Sequence, residues 1–166
     1  MRVMDEIALI GVDNANPKRA LEVGKAAEHL VCADLILQGH CAFLSDQGLS
    51  YDVVADIGGR MVRIQVKATS SVTATQDREV TPKYRWHVRR IGKGGKRRVE
   101  EGAFDILALV ALDIRQIAYI PMSAGVPQTI DLRPPGVRPR PGSTKPYFRK
   151  CVDQYPFAEA LEGVLK

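Results

Sequence analysis

The stretch from residue 51 to residue 69, YDVVADIGGRMVRIQVKAT, decides the fold that this chain is expected to adopt. Its two halves are rich in β-branched and apolar residues, and they flank the pair Gly58-Gly59. A Gly-Gly pair between such segments predicts a two-residue β-hairpin, because both central positions of the favoured turn take positive φ. With these glycines in the turn, Ile57 pairs with Arg60 and sets the register of the whole hairpin.

That register places three polar side chains on one face of the hairpin. Asp52 is expected opposite Gln65, and Lys67 follows two residues later on the same face. Directly opposed residues have Cβ atoms about 4.5–5.5 Å apart, so a carboxylate, an amide oxygen and an ammonium converge there. The other face is expected to be core, formed by Tyr51, Val53, Ala55, Ile57, Val62, Ile64, Val66 and Ala68.

A helix is expected before the hairpin. Asn16-Pro17 supplies an N-cap and an N1 proline, and apolar residues recur at helical spacing through residue 38. Glu28 lies among the apolar residues of the side expected to face inward. A carboxylate on a buried stripe is unfavourable unless it has a partner. A cation shared by Glu28, Asp52 and Gln65 would remove this penalty.

The rest of the chain predicts further strands and a final helix. A lead-in strand is expected at residues 7–12, further strands at 40–44, 83–91, 104–113 and 116–122, an extended proline-rich arm at 123–148, and a helix at 156–166. We therefore expect an α/β fold with a mixed β-sheet flanked by helices, in one domain of residues 1–166.

The formal charge of +5 is unevenly distributed along the chain. Residues 83–98 and 132–150 contain no Asp or Glu, and the remainder holds more acidic than basic residues. In the first window, basic residues alternate with Tyr84, Trp86 and Val88, which predicts a cationic strand face opposite a packed one. Such a face can follow a phosphate backbone, and so can the basic loop 92–102. The candidate DNA-binding residues are Lys83, Arg85, His87, Arg89, Lys93, Lys96, Arg97, Arg98, Arg138 and Arg140.

Several classes of protein are disfavoured. No apolar run reaches the roughly 18 residues that a membrane span requires, and the first residues do not resemble a secretory signal, so a cytoplasmic protein without a membrane partner is expected. Three cysteines without CxxC spacing support neither a disulfide framework nor a zinc ribbon. For Asp105, ahead of an apolar strand, we favour a strand-end cap over a role behind the active site.

The combination of Glu28, Asp52 in Tyr-Asp-Val-Val and Gln65-Val66-Lys67 resembles the PD-(D/E)XK nuclease superfamily. It is most similar to the homing endonucleases encoded in group I introns, which contain Gln-x-Lys, and next to archaeal-type Holliday junction resolvases, which keep Glu-x-Lys. The resemblance covers about residues 20–70 well and 104–121 more loosely. The chain departs from the superfamily motif because Tyr51 replaces the proline and Gln65 stands where an acidic residue is usual.

The resemblance implies a restriction-endonuclease-like fold and Mg²⁺-dependent hydrolysis of DNA to 5′-phosphate and 3′-hydroxyl ends. The metal ligands implied are Asp52, Gln65 and the Val66 carbonyl, with Glu28 directly or through water. Mn²⁺ is expected to substitute for Mg²⁺. The Gln65 carbonyl oxygen suits a hard cation. Lys67 would orient or help to deprotonate the attacking water and neutralise transition-state charge.

The expected partners are duplex or branched DNA and further copies of the chain, because cutting two strands needs two active sites in a homodimer or homotetramer. Two alternatives stay open beside a homing-type endonuclease: a Holliday junction resolvase, and a non-catalytic DNA-binding protein that retains the nuclease fold.

Overall fold

The structure is a computed structural model, and it describes residues 17–46, 48–73, 81–88, 91–92, 95–96, 102–122, 128–138 and 150–166. For residues 17–18, 91–92 and 95–96 it describes the backbone only. The lead-in strand predicted at 7–12 lies outside the described residues. The elements are α1 (Pro17–Leu37), β1 (Cys41–Leu44), β2 (Val53–Ile57), β3 (Arg60–Thr69), β4 (Tyr84–His87), β5 (Ile91–Gly92), β6 (Gly95–Lys96), β7 (Ile106–Ala111), β8 (Gln116–Pro121), β9 (Thr129–Leu132) and α2 (Phe157–Leu165), with a short 3₁₀ helix at Val152–Gln154.

The central sheet has the strand order β1-β2-β3-β7-β8. Neighbouring strands of this sheet pair antiparallel, except β3 and β7, which pair in parallel. The sheet is therefore mixed, as predicted. Strand β7 lies inside the sheet and is buried along its whole length, which explains its unbroken apolar sequence.

Helix α1 forms because Ala27, Val31 and Leu35 recur every four residues, and all three are fully buried against the sheet. Its end is determined by Gly39, whose φ is +90°. The Gly39 N–H donates to the Ile36 carbonyl and the His40 N–H to the Leu35 carbonyl, which is the Schellman pattern of helix termination. The chain thus leaves the helix and enters β1.

Two apolar cores lie on the two faces of the sheet. In the first, α1 packs on β1, β2 and β3, and α2 packs on β7 and β8. The second is formed under a ribbon of β4 and β9, and the Trp86 indole N–H joins this ribbon to the sheet by donating to the Val110 carbonyl at 3.1 Å. No helix in the described part of the chain is long and apolar enough to cross a membrane.

Two sequence expectations are corrected. The region 123–148 is not extended loop throughout, because it contains β9, which pairs with β4. The segment 128–133 contains no proline and includes β-branched residues between Pro127 and Pro134, so its backbone N–H groups can join a ladder. Strand β4 also ends at His87, whereas the expected strand runs to residue 91. The hairpin of β5 and β6 follows it and lies mostly within residues 92–102, which were expected to form a basic loop.

Candidate active site

The predicted β-hairpin is confirmed. Gly58 and Gly59 have φ of +62° and +92°, and the ladder pairs Ile57 with Arg60. The Gly59 N–H also donates to the Asp56 carboxylate at 2.7 Å. The register from this turn holds along the hairpin as far as Val53 and Ile64.

Beyond Val53 the hairpin departs from the predicted pairing of Asp52 with Gln65. The Asp52 N–H donates at 2.9 Å to the carbonyl of Ile64, which is already the ladder partner of Val53. Two consecutive residues therefore face one residue of the neighbouring strand, as in a β-bulge. The bulge changes the alternation of side chains, so Tyr51 packs against the second core and not, as predicted, with Val53 in the first.

The Asp52 carboxylate nevertheless meets Gln65. Its Oδ2 atom accepts a hydrogen bond from the Val66 N–H at 2.7 Å and another from the Gln65 amide nitrogen. Strand β3 continues to Thr69, beyond the start of β2 at Val53, so Asp52 caps a backbone donor that has no ladder partner on that side. The bulge thus places the Asp52 carboxylate beside the part of β3 that extends past the ladder with β2. This place is called the strand end below.

The Val66 carbonyl lies on the same side of β3 as the Asp52 carboxylate. The carbonyls of Arg63 and Thr69 accept from residues flanking β7, so the backbone groups of Val66, three positions from each, point away from β7. The Gln65 amide nitrogen lies 3.3 Å from the Val66 oxygen. The strand end therefore gathers the Asp52 carboxylate and the Val66 carbonyl oxygen around the amide nitrogen of Gln65.

Lys67 follows Gln65 on the same face of β3, because side chains alternate along a strand and Val66 between them packs into the first core. Gln65 is buried and Lys67 half-buried. Gln65 and Lys67 thus lie on one face of β3, as predicted.

Glu28 lies at the edge of the buried stripe of α1, with a side chain 20% exposed. Its carboxylate accepts a hydrogen bond from the Lys25 ammonium at 2.8 Å. The burial penalty that we expected a shared cation to remove is already offset by this lysine. Lys25 was not recognised in the sequence, although a basic residue three positions before an acidic one on a helix is a usable signal.

The Lys25 ammonium connects Glu28 electrostatically to Asp52. The hydrogen bond to Glu28 is the largest cause that raises the pKa of Lys25, followed by the charge of Glu28, and the negative charge of Asp52 raises it further. Both carboxylates therefore act on the Lys25 ammonium, Glu28 through direct contact and Asp52 through its charge.

The oxygen donors at this strand end fit a hard divalent cation. Carboxylate, amide and carbonyl oxygens are the ligand types that Mg²⁺ accepts. The described residues contain no group of three or more His, Cys, Asp or Glu side chains placed to hold a metal. A cation here would need the neutral Gln65 and Val66 oxygens beside the two carboxylates.

The face of the ribbon opposite the second core carries the first predicted DNA-binding residues, of which Arg85 and His87 are exposed and Lys83 is half-buried. Lys83, Arg85 and His87 alternate with the buried Tyr84, Trp86 and Val88, which confirms the predicted two faces. Arg138 is exposed. Arg89, Lys93, Arg97, Arg98 and Arg140 lie outside the described residues, and the side chain of Lys96 is not described.

Asp131 of β9 reduces the positive charge of this face. Its carboxylate binds the Lys83 ammonium at 2.8 Å and the Arg85 guanidinium at 2.8 and 3.0 Å. Burial alone would raise the pKa of Asp131, but the hydrogen bonds from Arg85 and Lys83 outweigh it and lower the pKa to about 2. These two ion pairs were not expected from the sequence, because Asp131 precedes the second acid-free window by one residue.

Asp105 is a structural clamp, as the strand-end interpretation predicted. Its carboxylate accepts the Arg63 backbone N–H at 2.8 Å and the Arg63 guanidinium at 2.9 and 3.2 Å. Burial would raise the pKa of Asp105, and these hydrogen bonds lower it. The clamp joins β3 to the start of β7 and fixes the strand that carries Gln65 and Lys67.

No protein-family model matches the chain, and no similar sequence was found among curated proteins. One solved structure with the same fold is that of a bacterial homing endonuclease, I-Ssp6803I. The two share 17% sequence identity and a TM-score of 0.61 over 87% of this chain and 95% of the endonuclease. The mixed sheet with flanking helices is therefore the fold of a known endonuclease.

Proposed function

We propose that this protein is a metal-dependent DNA endonuclease that cleaves a specific site and leaves 5′-phosphate and 3′-hydroxyl ends. The observation that carries the proposal is the contact of Asp52, just before the start of β2, with Gln65 and the Val66 N–H of β3. Lys67 lies on β3 with Gln65, and Glu28 on α1 pairs with Lys25, a lysine on which the charge of Asp52 also acts. The shared fold with a homing endonuclease supports the same reaction class.

In this proposal Asp52, Gln65, the Val66 carbonyl and Glu28 would hold Mg²⁺, which would supply positive charge for a phosphate oxygen and lower the pKa of a bound water. Gln65 has to turn its amide oxygen toward the cation, because its nitrogen faces Asp52 in the structure. Lys67 orients the attacking water and stabilises the negative charge that develops on the phosphate. The Arg63 and Asp105 clamp holds the strand in place for these steps.

Cleavage assays with Mg²⁺ test this proposal on linear duplex, four-way-junction and single-stranded DNA. Lys67→Ala should abolish cleavage, while Lys166→Ala, which removes an exposed lysine at the chain end, should leave it unchanged. Symmetric nicking of the junction with sparing of linear duplex would favour a resolvase instead. Absence of cleavage of all three kinds of substrate by the unaltered protein, with each prepared as a library of randomised sequence, would refute a nuclease.

One observation favours a second candidate, a DNA-binding protein without catalysis. The Gln65 amide donates to the Asp52 carboxylate, and this hydrogen bond stabilises the strand end without a metal. Such a protein would bind DNA in a salt-dependent manner that survives Asp52→Ala, with no metal-dependent cleavage.

We also propose that the endonuclease acts as a homodimer or homotetramer, because each copy would supply one active site and a duplex has two strands. Sedimentation of the protein with and without DNA tests this assembly. A monomer that makes double-strand breaks in a single binding event would contradict it.

A further inference from the structure

Lys25 is the charged group at the candidate site to which the proposed reaction assigns no role. Its ammonium lies 2.8 Å from Glu28 Oε2, and 48% of its side chain is exposed. The four-carbon stem leaves α1 one turn before Glu28. The ammonium therefore contacts one carboxylate directly, and the charge of the other, Asp52, acts on it as well.

The charges at the site are close to balance when Lys25 is counted. Glu28 and Asp52 supply two negative charges. Gln65 supplies none, although a third carboxylate is usual at this position in the nucleases that the chain resembles. Lys25 and Lys67 supply two positive charges. An arriving divalent cation would meet little net attraction as long as both ammonium groups stay in place.

The two lysines differ in how readily they can leave. Lys67 is half-buried on a strand inside the sheet, whereas Lys25 is on the exposed surface of a helix. An exposed ion pair is weak because water screens it and both side chains lose freedom in forming it. The Lys25 ammonium can swing into solvent without disturbing the core.

We propose that Lys25 is a tethered counterion of the carboxylate pair, and that a divalent cation binds by displacing its ammonium from Glu28. The inference rests on the proposed metal site and adds a residue that sets its affinity. Lys25 is thus a positioning residue for Glu28 and a competitor of the metal.

Calorimetric titration of the DNA-free protein with Mg²⁺ tests the inference without any cleavage readout. Lys25→Met should tighten Mg²⁺ binding by about two- to fivefold, the range expected from the loss of an exposed ion pair. Lys25→Arg, which keeps the charge, should bind like the unaltered protein. Arg19→Met is the matched control, since it removes one positive charge from the same helix two turns earlier.

Unchanged or weaker Mg²⁺ binding by Lys25→Met would overturn the inference, and so would equal tightening by Arg19→Met, which would indicate a general charge effect. No Mg²⁺ binding by either the unaltered protein or Lys25→Met would overturn it together with the metal site. Mg²⁺ binding that is tightened by Lys25→Met, in a protein that cuts no DNA, would support the inference and refute the proposed nuclease. Circular dichroism of each variant confirms that its helices are intact.

Discussion

Gln65→Glu should change the stability of this protein in opposite directions without and with a divalent cation. The substitution keeps the size of the side chain but replaces the amide that donates to Asp52 with a second carboxylate. Asp52 Oδ2 then keeps the Val66 N–H, at 2.7 Å, as a donor and gains a negative neighbour. The variant tests whether this strand end is built around a cation.

The size of the effect follows from the lost contact. A hydrogen bond to a charged group contributes about 1.5–3 kcal/mol, and repulsion between the carboxylates adds to its loss. We expect the variant to be less stable than the unaltered protein by about 3 kcal/mol in EDTA. For a chain of this length that corresponds to a melting temperature lower by roughly 6–12 °C.

Mg²⁺ should restore most of this loss, because the two carboxylates then share a divalent cation. A ligand at 100 times its Kd stabilises the folded state by about 2.7 kcal/mol. Thermal unfolding in EDTA and across a Mg²⁺ series measures both effects. Gln65→Met is the control, since it removes the hydrogen bond without adding charge and should gain no additional response to Mg²⁺.

Two results would refute this reasoning. Equal stability of Gln65→Glu and the unaltered protein in EDTA would mean that the amide does not stabilise Asp52. The same Mg²⁺ response from Gln65→Glu and Gln65→Met would mean that these oxygens do not hold a cation.

Three further predictions concern groups away from the strand end. Asp131→Asn should lower the free energy of unfolding, measured by urea titration, by about 2 kcal/mol near pH 7. Because the Asp131 pKa is lowered from 3.8 to about 2, the difference between the variant and the unaltered protein should shrink as the pH falls from 4 to 2. Tyr119→Phe removes a 2.6 Å hydrogen bond to Asp34 from a buried hydroxyl and should destabilise the protein by about 1–3 kcal/mol in the same assay; no change would contradict that bond. Arg138→Gln should leave stability unchanged and reduce the slope of log K for DNA against log salt by about 0.9 if this exposed side chain binds a phosphate, and an unchanged slope would exclude such a contact.

Local signals predicted the elements that position the site. The Gly58-Gly59 turn was readable because few residues other than glycine adopt positive φ at both central positions. The buried face of α1 was readable from apolar spacing, and β7 from its continuous apolar run. These features depend on neighbours along the chain, which a sequence contains directly.

The bulge at Asp52 and the strand β9 could not be predicted in the same way. The bulge arises just before the start of β2, where the ladder with β2 stops but β3 continues along β7. The parallel pairing of β3 with β7 joins distant parts of the chain. Strand β9 exists because β4 offers it a partner across more than forty residues. Non-local pairing selects among backbone conformations that local sequence leaves open.

The sequence by itself determined the turn, the buried faces and the identity of the polar side chains near the hairpin's end. Tertiary structure alone decided how Asp52 is partnered, by the amide of Gln65 and the Val66 N–H, whereas the pair of Glu28 with Lys25 is local to α1. The physical reason is that residue type gives each group its charge and hydrogen-bonding capacity. Electrostatic energy depends instead on distances of a few ångströms, which only the packing of helix α1 and the bulge against strand β3 establishes.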